Sequence, residues 1–251
     1  MKWKYVQSVL CVFFLSIIAA CSGGDGGGSS TPVADGNPEG IWSGTFDEEG
    51  TTYEVSGLIH SGEIVAFSTD AGVVYKGTYS VAGDEITANM NCFESGGSFF
   101  ATSVLNGTFS EQGHLNGTFT TSYVGNGTTQ GTISLAFNQI YNRPSSLELV
   151  AGDWEVAYGD YSAQALIDDQ GHITAEDTDG CIYAGVISVL DPNHNLYAVD
   201  VDVTDCYLAG QYGGFAMLDD KDAEYDNNTL IYGASSDTEI VFNWLFRSLP
   251  Q

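Results

Sequence analysis

The chain has 251 residues, of which 43% are hydrophobic, and it carries 33 acidic against 6 basic side chains, a formal net charge of −27. This length and composition favour a globular protein of one or two domains over a disordered one. Because phosphate binding needs clustered lysine and arginine, the charge argues against nucleic acid as a partner. We interpret the acidity mainly as a source of solubility, with a cationic partner or a divalent ion as the alternative.

Residues 1–20 are typical of an export signal peptide. Two lysines precede an apolar run over 9–20, which is too short to cross a membrane as a helix. Ile18-Ala19-Ala20-Cys21 resembles the lipobox of bacterial lipoproteins, whose signal is cut before the cysteine. The resemblance implies that Cys21 is acylated, whereas an ordinary signal peptide would leave it unmodified. By the sorting rule of enteric bacteria, Ser22 implies the outer membrane; in a Gram-positive host the motif would imply the plasma membrane.

The rest of the chain divides into a tether and two blocks. Residues 21–38 are rich in glycine and serine, a composition that favours a flexible coil. From 39 onward, short alternating segments separated by Gly, Asn and Asp predict an all-β protein. We expect eight strands in each of two domains, 39–143 and 152–251, with a linker over 144–151 that begins with a proline.

Alternation and repetition support this division. In the segment 196–204, valines alternate with aspartates, which predicts one buried and one solvent-facing side. The segment from Leu58 to Val81 also aligns with that from Leu166 to Val189, with a single one-residue slip. An internal repeat of this kind indicates that the two blocks share one architecture.

Each block opens with Gly-x-Trp, at Gly40-Ile41-Trp42 and at Gly152-Asp153-Trp154. Each block also ends with one of the two arginines in the sequence, Arg143 and Arg247. This pattern resembles the signature of the calycins, which include lipocalins and avidins, and Trp244-Leu245-Phe246-Arg247-Ser248 resembles the end of an avidin. The resemblance implies two tandem eight-stranded antiparallel up-and-down barrels; two β-sandwiches are the alternative.

The same resemblance implies a clasp in each barrel, in which the closing arginine packs across the tryptophan of the first strand. The expected pairs are Trp42 with Arg143 and Trp154 with Arg247. A guanidinium over an indole gains roughly 1–2 kcal/mol while joining the first and last strands. The second lipocalin motif and the biotin-binding side chains of avidins are missing from the sequence, so the resemblance does not identify a ligand.

Three cysteines remain once Cys11 leaves with the signal peptide and Cys21 takes the lipid. Cys181 opens one predicted strand and Cys206 follows the next, so a hairpin brings them together. In the oxidising environment of an exported protein, we expect a Cys181–Cys206 disulfide. Cys92 is then left over, and we interpret it as a buried free thiol, with pairing to a partner or a reactive thiol as the alternative.

The sequence contains no pattern of residues that indicates catalysis. We find no nucleophile elbow, no histidine-plus-acid constellation and no phosphate-cradling glycine loop. The histidines at 60, 114, 172 and 194 lack the spacing of a metal site. The acidic stretch 219–226 is a candidate for weak calcium binding or, alternatively, a solvated loop. We therefore expect no catalytic residue, no cofactor and no metal.

These observations predict a lipid-anchored, noncatalytic lipoprotein of the cell envelope that acts as a surface interaction or structural module. Its expected partners are membrane lipid, through Cys21, and another envelope protein. The alternative is a carrier or receptor for a small apolar ligand, since an eight-stranded barrel can hold one small molecule. Candidate lining residues are four aromatic side chains that we expect to point inward: Phe99, Phe109, Phe242 and Trp244.

Overall fold

A computed structural model describes residues 34–94, 97–125, 127–220, 227–236 and 239–248. The signal peptide, the lipobox with Cys21 and most of the tether lie outside the described residues. The described chain is all-β, as predicted, and its strands form two closed eight-stranded antiparallel barrels rather than sandwiches. The strand order in each barrel follows the chain, so each is a simple up-and-down meander closed by its first and last strands.

The first barrel comprises β1 (Gly40–Glu48), β2 (Thr51–His60), β3 (Glu63–Ser68), β4 (Val73–Ala82), β5 (Glu85–Glu94), β6 (Phe99–Phe109), β7 (His114–Tyr123) and β8 (Thr128–Phe137). A 3₁₀ turn over Gln139–Asn142 and a one-turn helix α1 (Leu147–Val150) lead to the second barrel. The second barrel comprises β9 (Gly152–Tyr158), β10 (Tyr161–Ile167), β11 (His172–Asp177), β12 (Ile182–Val189), β13 (Tyr197–Thr204), β14 (Gly210–Asp219), β15 (Thr229–Ser235) and β16 (Ile240–Arg247).

The two barrels close with seams of different length. In the first barrel, β1 pairs with β8 continuously from Trp42 opposite Phe137 to Glu48 opposite Gly131. In the second, the described residues of β9 and β16 pair at Glu155 with Phe246 and at Trp154 with Arg247, and the Ser248 amide adds one bond to the Asp153 carbonyl at 2.9 Å. Because fewer backbone hydrogen bonds close the second barrel, side-chain contacts at this seam carry more of its closure.

Strand β13 shows the alternation that its sequence predicts. Tyr197, Val199 and Val203 are buried in the second barrel, whereas Asp200 and Asp202 are exposed. Side chains on a strand point to opposite faces with a period of two, so the valines pack the interior and the carboxylates face water.

The internal repeat is visible in matched backbone contacts. The amide of Tyr79 donates to the carbonyl of Gly62 at 3.1 Å, and the amide of Ile187 donates to the carbonyl of Gly171 at 2.8 Å. Gly77 and Gly185 both lie so close to the neighbouring strand that an added Cβ would come within about 2 Å of a carbonyl oxygen, at 1.9 and 2.1 Å. Both positions therefore require glycine, and the aligned segments fold alike.

The barrels pack side by side through apolar outer faces, and both belong to one compact unit that begins at Ala34. Ile41 and Leu58 of the first barrel form one buried cluster with Met217 and Ile231 of the second. This contact explains a difference between the two Gly-x-Trp motifs. The middle residue is Ile41 where the barrels meet, and Asp153 where the strand faces solvent.

Polar contacts also cross between the barrels. The guanidinium of Arg143 donates to both carboxylate oxygens of Asp220, with Nη1 to Oδ1 at 2.8 Å, and Lys76 donates to the hydroxyl of Ser235. The ring of Tyr141 stacks on that of His194 with centroids 4.4 Å apart. The connecting segment takes part as well, since Ser145 is buried and donates to the carbonyl of Asp191 at 2.9 Å.

Candidate functional site

Each barrel has one end closed around the tryptophan of Gly-x-Trp. Trp42 and Trp154 are both 1% exposed. Each indole N–H donates at 2.8 Å to a carbonyl four residues earlier, Pro38 for Trp42 and Val150 for Trp154. A buried indole N–H needs a partner, and the chain entering each barrel supplies it in the same way.

In the second barrel, Arg247 forms the predicted contact with Trp154. Its guanidinium carbon lies 4.4 Å from the centroid of the indole ring. The same group donates to the carbonyls of Ala151, at 2.9 Å, and Leu149. Partial burial lowers the pKa of Arg247 from its usual value. Gly152 has a φ of +131°, and a Cβ there would meet the guanidinium at 3.1 Å, so the motif glycine makes room for the arginine.

In the first barrel, Phe137 takes the place that we expected Arg143 to occupy. Phe137 pairs in register with Trp42, as Arg247 does with Trp154. Its ring packs edge-on against Trp42 with centroids 5.6 Å apart, and a Cβ on Gly40 would lie 2.3 Å from that ring. Strand β8 ends at Phe137, because Asn138 caps the 3₁₀ turn by accepting from the Ile140 amide at 3.1 Å. Arg143 thus lies beyond the strand and pairs with Asp220 instead.

The opposite end of the second barrel is filled. The predicted disulfide joins Cys181 and Cys206, whose Cα atoms are 4.8 Å apart. It packs in a cluster with Tyr212, whose hydroxyl donates to the Leu208 carbonyl at 2.9 Å. Asp177 is also engaged at this end and accepts from the hydroxyl of Tyr183 at 2.7 Å.

The interiors of both barrels are packed with side chains. Each retains an apolar void of about 70 Å³, between Trp42 and Phe119 in the first barrel and between Ile167 and Tyr212 in the second. Small-molecule sites usually measure about 300–1,000 Å³, so neither interior has room for a ligand beyond the size of a few waters.

The open end of the first barrel differs from the rest of the interior, because it holds a cavity of about 290 Å³. We call this cavity the first mouth. It lies around the ends of β1, β4 and β7, away from Trp42. Six of its lining residues define its chemistry: Glu48, Tyr53, Tyr75, Cys92, Phe100 and Tyr123.

A β-bulge places Phe100 at the first mouth. Strand β6 pairs Ala101 with Cys92 and Phe99 with Phe93, which leaves Phe100 as the extra residue. A bulge re-aims the side chain at its position, and bulges are common next to binding sites. Phe100 lines the cavity and stacks on Tyr123 with ring centroids 6.0 Å apart.

Glu48 is one of two carboxylates that line the first mouth, and Glu94 is the other. Its Oε1 accepts from the hydroxyls of Tyr123, at 3.1 Å, and Thr129. Burial raises the pKa of the Cys92 thiol to about 12, and the nearby Glu48 charge adds to this shift. Burial also raises the pKa of Tyr75, with further contributions from Cys92 and Glu48. The thiol and the phenol are therefore neutral at physiological pH, and Cys92 is a buried free thiol.

The four aromatic residues predicted to line a ligand cavity do not lie together. Phe99 is 45% exposed, and Phe109 is buried in the core at the closed end of the first barrel. Trp244 lines a cleft of about 190 Å³ between the barrels, because it alternates with Leu245, which faces the interior of the second barrel. The side chain of Phe242 lies outside the described residues.

Sequence reasoning missed the first mouth because its residues come from six strands. The signals that bear on it are Tyr53, Tyr75 and Tyr123, which lie near strand ends, and Glu48 at the end of β1. None of these residues forms a local motif, and the bulge position itself is a phenylalanine, a residue type that does not predict a bulge.

The other histidines and acidic residues considered as candidate site residues include two His–Asp pairs that stabilise turns. Asp168 pairs with His172 at 2.8 Å and Asp191 pairs with His194 at 2.9 Å. The hydrogen bond from His172 is the main cause that lowers the pKa of Asp168, whereas the backbone amide of Asn193, followed by His194, lowers the pKa of Asp191. Within the described ranges, no three His, Cys, Asp or Glu side chains are grouped to hold a metal ion. Most of the calcium candidate 219–226 lies outside the described residues, and Asp220 pairs with Arg143.

The fold defines a class: two tandem eight-stranded antiparallel β-barrels, an architecture consistent with calycin-like repeats. Comparison of the sequence with protein-family models and with curated proteins finds no match. In the part of the chain that the structure describes, no helix has the length and apolar character to span a membrane.

Proposed function

We propose that this protein is a noncatalytic, lipid-anchored lipoprotein of the cell envelope that acts as a surface interaction or structural module. The observation that carries this proposal is the packing of both interiors, which leaves voids of only about 70 Å³. Barrels filled in this way act through their outer surfaces and loops rather than through a central binding chamber.

The charge distribution supports a role in surface interaction. Three of the cations are used inside the fold: Lys76 contacts Ser235, Arg143 pairs with Asp220, and Arg247 covers Trp154. The acidic side chains, 33 in the sequence, therefore dominate the field that the protein presents. Such a field attracts cationic partners and speeds their encounter.

Anchoring is part of the proposal and rests on the lipobox. We propose that Cys21 carries acyl chains and that the protein is held in the outer membrane, on its periplasmic face or at the cell surface. Of the predicted tether over 21–38, the last residues are bound to the first barrel, where the Gly83 amide donates to Asp35 and the Trp42 indole donates to Pro38, so residues 21–33 then separate the folded unit from the lipid.

The first mouth favours a second candidate function, the binding of a small ligand. Its volume of about 290 Å³ approaches the lower limit of small-molecule sites. In this version the protein is a carrier or receptor whose ligand enters the open end of one barrel, and the second barrel stabilises the first.

Native mass spectrometry of the protein purified from its own envelope tests both candidates in one experiment. We expect a mass that begins at Cys21 with acyl chains attached, together with a retained protein partner. A retained small molecule in place of a protein would favour the ligand-binding candidate. An unacylated chain, or an acylated chain with neither kind of companion, would count against the proposal.

A further inference from the structure

We infer that the first mouth is a binding site for a small organic cation that carries a substituted ammonium group. This inference rests on the second candidate function and names the chemical class of its ligand. Three independent features lead to it: the charge of the lining, the aromatic rings around it and an unused carboxylate oxygen.

The lining carries negative charge with no opposing cation. Glu48 and Glu94 both contribute to it, and no described lysine, arginine or histidine is among the lining residues. Cys92 and Tyr75 add no charge, because burial raises the pKa of each. An anionic ligand would meet only repulsion here, whereas a cation is attracted both by the mouth and by the acidic protein as a whole.

Aromatic rings supply the second feature. Tyr53, Tyr75, Phe100 and Tyr123 all line the cavity. Each of these rings contacts another aromatic ring. Tyr53 stacks on Phe46 at 5.1 Å between centroids, Tyr75 meets Phe46 edge-on at 6.2 Å, and Phe100 stacks on Tyr123 at 6.0 Å. Rings within about 6 Å of an ammonium attract it through their negative faces, and sets of such rings recognise quaternary ammonium groups. The bulge that places Phe100 here completes the aromatic wall.

The third feature is a carboxylate oxygen of Glu48 that is not used within the described fold. Its Oε1 accepts from Tyr123 and Thr129, but no donor in the described part of the chain lies within hydrogen-bond distance of Oε2. The carboxylate at the mouth of the second barrel is different. Both oxygens of Asp177 are used there, Oδ1 by the amide of Cys181 at 2.9 Å and Oδ2 by the hydroxyl of Tyr183 at 2.7 Å. Glu48 is therefore held in place and still has an oxygen to offer a ligand.

Size and composition narrow the choice of cation. A cavity of about 290 Å³ takes a molecule of roughly ten heavy atoms or fewer, such as choline. A bare divalent ion would need several oxygen ligands, and the described residues contain no group of three suitable side chains. A small organic cation satisfies the carboxylate and the aromatic rings together.

The test is calorimetric titration of the full lipoprotein, in neutral detergent micelles, with choline and with its uncharged isostere 3,3-dimethylbutan-1-ol. We expect choline to bind and the isostere to bind at least about tenfold more weakly, a factor that corresponds to the loss of one ionic contact. Equal binding of the two, or no binding of choline, would overturn the inference. If choline fails while native mass spectrometry retains another small molecule, the inference falls but the ligand-binding function stands.

Two variants locate the site. Glu48→Gln should weaken choline binding about tenfold, and the matched control Glu63→Gln, an exposed glutamate at the closed end of the same barrel, should leave it unchanged. Phe100→Leu should weaken choline binding without altering the charge, which covers the case in which Glu48→Gln fails to fold. Equal effects of Glu48→Gln and Glu63→Gln would show that choline responds only to net charge and would overturn the site.

A blocked lysine tripeptide distinguishes a free ligand from a protein side chain with similar chemistry. We expect it to bind more weakly than choline, because a primary ammonium is more strongly hydrated and a tripeptide is too large for a cavity of about 290 Å³. Tighter binding of the peptide would overturn the assignment to a small molecule. The first mouth would then be a site that recognises a protein partner.

Discussion

Phe137 and Arg247 occupy the same position in the two barrels, each paired across the closing seam with the tryptophan of Gly-x-Trp. One contributes an edge-on aromatic contact to Trp42, and the other contributes a guanidinium over Trp154. The position opposite the tryptophan is thus a repeated structural feature, while the residue that fills it is not. The difference matches the lengths of the two closing seams. The second barrel has the shorter seam, and its Arg247 also donates to backbone carbonyls.

Replacing Arg247 with lysine should destabilise the second barrel. Lysine keeps the charge but loses the planar stacking on Trp154 and the forked donation to Ala151 and Leu149. We expect a loss of about 2 kcal/mol, which thermal unfolding measures. Arg143→Lys is the matched control and should cost less, since Arg143 is 38% exposed and lies outside the closing seam. An unchanged melting curve for Arg247→Lys would contradict the clasp.

Truncating Phe137 should destabilise the first barrel more strongly than the lysine substitution destabilises the second. Phe137 is buried against Trp42 and Tyr141 at the closed end. Replacing a core phenylalanine with alanine typically costs about 3–5 kcal/mol. Urea unfolding measures the effect, and Phe99→Ala, at a site that is 45% exposed, provides the control. A cost for Phe137→Ala no larger than that for Phe99→Ala would show that Phe137 does not close the barrel.

Loss of the disulfide should loosen the filled end of the second barrel. The bond closes a loop with a sequence separation of 25, for which chain entropy gives a stabilisation of roughly 3 kcal/mol. The double variant Cys181→Ala and Cys206→Ala should lower the unfolding midpoint accordingly.

The native wild-type protein should show no reaction of Cys92 with a thiol reagent, because that thiol is buried and its pKa is raised to about 12. Rapid labelling of Cys92 before unfolding would contradict its placement.

The ion pair between the barrels should give a pH-dependent contribution to stability. Hydrogen bonds from Arg143 lower the pKa of Asp220 below its ordinary value of 3.8. A lowered pKa in the folded state means that the stabilisation is present above the unfolded pKa and is lost as the pH falls through the lowered value. Asp220→Asn should therefore cost about 1 kcal/mol or less at about pH 7, and almost nothing at about pH 2. An equal cost at both values would show that the charge contributes nothing.

The strand pattern was predictable from the sequence, because alternation and turn residues are local. The valines of β13 lie within one strand, and Cys181 and Cys206 flank one hairpin, so both predictions depend on residues close together along the chain. Closing contacts were less predictable. Arg143 was matched to Arg247 by residue type, but the register that sets their positions depends on where β8 ends, and Asn138 ends it early.

The mouth and the contact between barrels were not predictable for a related reason. Trp244 faces outward because Leu245 faces inward, and the packing of the first barrel against that face partly buries it. Phe100 reaches the mouth through a bulge that shifts its register. Both outcomes depend on contacts between distant strands, and an outward aromatic side chain looks the same in the sequence as an inward one.

On this proposal the first barrel, and not the second, has a mouth that binds a small cation. That difference is tested most directly by mapping amide chemical-shift changes while the full lipoprotein, in neutral detergent micelles, is titrated with choline. Binding at the first mouth predicts changes confined to the ends of β1, β4 and β7, around Glu48, Tyr75 and Tyr123. Changes centred on Asp177 and Tyr183, at the filled end of the second barrel, would contradict the account, as would the absence of any localised change.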